Sequence, residues 1–102
     1  MIQIGAHNYK IYFRDDLYDT FDYLGIVKHD TDVILIDFTL SEEETLCTFV
    51  HESTHCISKR YGLSLDENQT SVIAEGMTQI LLQLFPLEDL ITAITWVSDS
   101  DN

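Results

Sequence analysis

The sequence predicts one α+β domain in which strands come first and helices follow. Two observations carry this. Residues 2–38 hold short β-branched and aromatic runs separated by turn residues, and from Ser41 onward apolar residues recur at helical spacing. The size fits, because 102 residues, 45% of them hydrophobic, support one core and no more. Residues 1–97 are expected to form that domain, and SDSDN, residues 98–102, a polar C-terminal tail.

Residues 2–4 and 9–13 read as two strands around a turn at Gly5–Asn8. The acidic stretch 15–22, DDLYDTFD, reads mostly as loop. YLGIVK and VILIDF then flank the polar tetrapeptide His29-Asp30-Thr31-Asp32, which predicts an antiparallel hairpin. Ser41 with Glu44 three places on forms a capping-box pattern, and Glu42, Glu43 and Glu44 suit the positive end of a helix dipole. Lys59 and Arg60 precede Gly62, so this helix should run from Ser41 to Tyr61. Leu46, Phe49, Val50, Ile57 and Tyr61 fall near one side of it, with Ser53 interrupting the stripe. A second helix fits residues 66–84, with Val72, Ile73, Met77, Ile80, Leu81 and Leu84 as its buried side. Pro86 opens a third helix that ends near Val97.

Charge narrows the function. Five basic against 18 acidic residues give a net charge of −13, which repels nucleic-acid phosphates and anionic membranes. No stretch approaches the ~20 consecutive apolar residues of a membrane span, and MIQIGAHNYK lacks the pattern of a signal peptide. A cytoplasmic protein is the expectation. Cys47 and Cys56, on one helix, would lie ~13 Å apart along its axis, too far for the ~7 Å of a disulfide. Both are expected to be free thiols in or beside the core.

The chemistry sits in HESTH. His51 and His55, four apart on a helix, are neighbours on one face. That spacing lets two imidazoles hold one zinc ion at ~2.0–2.1 Å. Glu52 is rotated by one position, out of reach as a ligand but able to take a proton from a metal-bound water. A catalytic zinc needs a third protein ligand and an open fourth position. His7 and His29 fall in turn regions and are expected at the surface. Asn68, Glu75, Gln79 and Gln83 share a polar face of the second helix, whereas Glu67 heads a stripe with Ser71, Ala74 and Thr78. Small residues there would let the two helices approach closely. Glu67 is the preferred third ligand and Glu75 the alternative, with Asp66 behind them.

The run YLGIVKHDTDVILIDFTLSEEETLCTFVHESTHCI followed by GLSLDENQTSVIAEGMTQIL resembles the small zincin-like metallopeptidases of phages and prophages, relatives of the ImmA/IrrE-type metallopeptidases. The resemblance extends over residues 17–86. It implies a minimal zincin-like fold, with a small, mostly antiparallel sheet packed on the His-Glu-x-x-His helix and two further helices behind. It implies Zn2+ on His51 and His55, Glu52 as the catalytic glutamate, and a ligand glutamate six residues before the Ile73-Ala74 pair, at Glu67. In related folds a strand bordering the cleft pairs with extended substrate, a role expected here of VILIDF. The chain differs from the family in carrying Ser53-Thr54 inside the motif and Ser71 after the ligand glutamate.

The resulting expectation is a zinc metallopeptidase that hydrolyses a peptide bond in a peptide or protein, in a bacterial cytoplasm if phage-encoded. The alternative is a non-catalytic protein that keeps the zincin scaffold and binds a partner through its acidic surface. Neither reading involves nucleic acid or membrane.

Overall fold

The computed structural model describes residues 1–17 and 24–99. Among them are four strands and three helices, and the class is α+β. The strands are β1 (Ile2–Ile4), β2 (His7–Arg14), β3 (Gly25–Lys28) and β4 (Val33–Asp37). The helices are α1 (Glu42–Tyr61), α2 (Glu67–Leu84) and α3 (Leu87–Val97). Most of the stretch 15–22, expected as loop, lies outside the described residues.

The sheet is mixed, in the order β1-β2-β4-β3. β1 and β2 pair antiparallel across a two-residue turn, with Ile4 opposite His7 and Gly5 at φ 61°. A left-handed Gly suits that tight reversal, so the turn is shorter than Gly5–Asn8 and β2 begins at His7. β3 and β4 form the expected antiparallel hairpin, with Val27 opposite Ile34. β4 also pairs with β2, in parallel. That corrects one expectation. VILIDF is paired on both sides, so among the described residues β3, not β4, is an edge strand and the one that borders the cleft.

The core joins β2 and β4 to α1 through Tyr9, Ile11, Ile34, Ile36 and Cys56. α1 starts where its residues require. Ser41 Oγ accepts from the Glu44 backbone N–H, the Glu44 side chain returns to the Ser41 N–H, and Gly62 ends the helix at φ 66°. A cap of this kind is worth about 1 kcal/mol. The buried faces of α1 differ from the expected stripe. Ile57 and Tyr61 are exposed, while Thr45, Thr48, Glu52 and Cys56 are buried. The helix packs on two sides, against the sheet and against α2, so no single apolar stripe describes it.

The expected buried side of α2 is also corrected. Val72, Ile73, Met77, Ile80 and Leu84 are exposed, and Thr70 and Ala74 are fully buried. The small-residue stripe, not the large apolar one, faces α1. Short side chains bring two helix axes together where bulky ones hold them apart, and α2 must come close to α1 for Glu67 to reach the histidines.

The segment expected as a polar tail begins docked. The Asp99 N–H donates to Ile11 O at 2.7 Å, and Asp99 Oδ2 accepts from Ile11 N–H at 3.1 Å. They occupy the stretch of β2 that short β1 leaves uncovered.

Candidate metal centre

Three side chains from two helices converge in front of β3. His51 and His55 project from the middle of α1, one turn apart, with their Nε2 atoms 3.2 Å apart. Glu67, the first residue of α2, places Oε1 2.7 Å from His51 Nε2 and Oε2 3.0 Å from His55 Nε2. All the potential ligand atoms lie within 4.8 Å of one another. Asp66 just before it is occupied as the α2 cap, its carboxylate accepting from the Gln69 N–H at 2.7 Å. The cap therefore sets where α2 begins, and thereby where Glu67 points.

The donor set suits a divalent metal. Two imidazoles and a carboxylate are a common ligand set for one, and atoms about 3 Å apart can share an ion at ~2 Å from each. Glu75, two turns further along α2, is exposed and takes no part in this group.

Glu52 is buried between α1 and β3, with 7% of its surface exposed. Burial first, and the Glu67 charge second, push its carboxyl up to about 7. It nevertheless lines both openings beside the histidines, one of about 300 Å³ and one of about 400 Å³. Its carboxyl thus stands at the edge of the ligand group without belonging to it, as its one-residue rotation from His51 requires.

Two neighbours were not legible as site residues. Gly25 of β3 lines both openings. A Cβ there would meet Thr48 Cγ2 at 2.6 Å and Glu52 Cγ at 3.1 Å, so the close approach of β3 to α1 depends on its being glycine. An isolated Gly inside a strand pattern is the signal that could have found it. His29, expected at the surface, is half-buried in the β3–β4 turn and lines the opening with His51, Glu52, His55 and Glu67. Its Nδ1 is buried without a partner. Burial, followed by the Arg60 and Lys59 charges, holds its pKa below the ordinary value.

His7 belongs elsewhere. Its Nδ1 lies 2.9 Å from Asp32 Oδ2, and Arg60 reaches Asp32 Oδ1 at 3.0 Å and Tyr9 Oη at 2.6 Å. This network fastens the end of α1 to β2 and to the β3–β4 turn, and so steadies the wall that carries His29. Cys47 is half-buried at the cleft, and Cys56 lies in the core with its thiol pushed up to about 12, chiefly by burial.

No protein-family model, curated protein or solved structure matches this chain significantly.

Proposed function

We propose that the protein is a zinc-dependent, zincin-like metallopeptidase that hydrolyses a peptide bond in a peptide or protein. The observation that carries the proposal is the convergence of His51, His55 and Glu67 on one point, with the buried carboxyl of Glu52 beside it. His51, His55 and Glu67 would hold the ion. Bound there, it would supply Lewis acidity toward a carbonyl oxygen and toward a water molecule.

The chain's own residues do the rest. Glu52 accepts a proton from the attacking water and passes it to the departing amine, a role that needs a carboxyl poised near neutrality. Its elevated pKa comes from the protein alone, and a cation at the histidines would lower it again. β3, an edge strand among the described residues, lies along the cleft, where an extended peptide would add as a further strand. Gly25 keeps that edge close to Glu52, which brings the scissile bond of such a peptide within reach of the base.

The net charge of −13 favours a second reading, a scaffold that binds a basic partner without cleaving it. One experiment separates them. Purified protein is incubated with a diverse peptide library and the products are read by mass spectrometry, with and without chelator. The peptidase predicts new termini that vanish with chelator and in Glu52→Gln, while Glu52→Gln still binds metal. Cleavage that persists in Glu52→Gln would remove Glu52 from the mechanism. Binding that weakens steeply with salt, with no cleavage in the metal-loaded protein, would favour the scaffold.

A further inference from the structure

The outer face of α2 carries a stripe that the fold leaves in water. Val72, Ile73, Met77, Ile80 and Leu84 are 61%, 41%, 44%, 49% and 67% exposed. Val72 lies opposite the buried Thr70 and Ala74, and Ile73, Met77, Ile80 and Leu84 run along the flank of the helix between. Together they leave on the order of 500 Å² of apolar surface uncovered, at the upper end of what a monomer carries.

Three features of the stripe say what covers it. The first is charge. From residue 68 to 87 the only ionisable side chain is Glu75, in a chain of net charge −13. This segment is where two such chains can meet without strong repulsion.

The second is Gly76, at the midpoint of α2. A Cβ on it would meet nothing within 4 Å, so nothing among the described residues explains a residue that weakens a helix. Val72, Ile73 and Ile80 lie one turn before and after it, among Gln69, Gln79 and Gln83, and a glycine so placed allows another backbone to come close.

The third is symmetry. Val72 and Ile80 stand four residues before and after Gly76, and Gln69 and Gln83 seven before and after. A two-fold axis through Gly76 would lay Val72 of one helix against Ile80 of the other, twice, as an isologous interface requires.

We propose that this face binds a second copy of the chain, with the two α2 helices antiparallel and crossing at Gly76. Two copies would bury at most roughly 1,000 Å² in all, the lower end for a specific interface. The inner face of α2, which carries Glu67, stays turned to α1, so both clefts remain open. The proposal does not depend on the metal or on peptidase activity.

Sedimentation equilibrium tests it, on the whole chain at micromolar to submillimolar concentration. The wild type should show twice the chain mass, with association strengthening as salt rises from 50 to 500 mM, because screening relieves repulsion between two acidic chains. Val72→Glu, Ile80→Glu and Gly76→Gln should each weaken association at least tenfold. Their far-UV circular dichroism and metal content should stay unchanged, since these positions are exposed in the monomer. Trp96→Glu on α3 adds the same charge at a site 86% exposed and should leave the dimer intact. A wild type that stays monomeric throughout would overturn the proposal, as would a dimer that survives any of the three α2 substitutions. A monomer that floats with neutral phosphatidylcholine vesicles would overturn it in favour of a lipid surface.

Discussion

Gly25 of β3 stands against Glu52 of α1, so close that a methyl group on the glycine would lie 3.1 Å from Glu52 Cγ and 2.6 Å from Thr48 Cγ2. The edge of the sheet and the candidate base are therefore one packing unit. Gly25→Ala should destabilise the fold by about 1–3 kcal/mol, since strand or helix must move. It should also impair cleavage beyond what stability explains. Thr48→Ser removes the nearer clash, so the double variant should recover part of the stability. Urea unfolding of the two single variants and the double variant measures this, and a neutral Gly25→Ala would contradict the packing.

The ligand geometry separates two glutamates on one helix. Metal content by elemental mass spectrometry should show about one ion per chain in tag-free wild type. His51→Ala should lose it, and Glu67→Ala should weaken binding by orders of magnitude. Glu75→Ala, exposed and outside the group, should bind as wild type does. Loss in Glu75→Ala with retention in Glu67→Ala would place the third ligand on the outer face.

The buried Glu52 makes metal-free stability depend on pH. Its carboxyl stands at about 7 in the fold, against 4.5 in the free side chain. The folded chain holds the proton more tightly than the unfolded chain. The contribution is therefore complete below pH 4.5 and is lost as pH rises through 7. Across that window the metal-free wild type should lose on the order of 2–3 kcal/mol relative to Glu52→Gln. Chelated protein unfolded in urea at several pH values gives the difference directly. Parallel profiles for the two proteins would mean that Glu52 is not buried as described.

The thiols should differ in reactivity. Cys47 is half-buried at the cleft, whereas Cys56 is fully buried and its thiol is pushed up to about 12. A thiolate reacts and a thiol does not. Ellman's reagent should titrate one thiol per native chain and the second only after denaturation. Cys47→Ser should remove the native reaction, and a fast reaction that survives this change would put Cys56 within reach of solvent.

Much of the site was legible because it is local. The capping box at Ser41, the left-handed Gly62 and the four-residue spacing of His51 and His55 are properties of a single helix, and they appear in the structure where the sequence puts them. The choice of Glu67 over Glu75 also followed from helical phase, because small residues mark the side on which α2 can approach α1. By itself, then, the sequence determined the α+β class, the helix that carries the motif and the three ligand candidates.

Tertiary structure decided the rest. Sequence pattern expected the large apolar side chains of α2 to be buried, but of the six only Leu81 is half-buried; Val72, Ile73, Met77, Ile80 and Leu84 are exposed, and Thr70 and Ala74 are buried instead. Pattern records which residues avoid water, not which face a neighbour covers, and an exposed apolar stripe looks the same as a buried one. Strand order was equally hidden. VILIDF is apolar enough to lie beside a cleft or between two strands, and only its parallel pairing with β2 put it inside and left β3 at the edge. The position of His29 follows from that pairing, because the β3–β4 turn is carried to the His51/His55/Glu67 group by the strand that became an edge. These outcomes depend on contacts between residues far apart in the chain, which no local periodicity encodes.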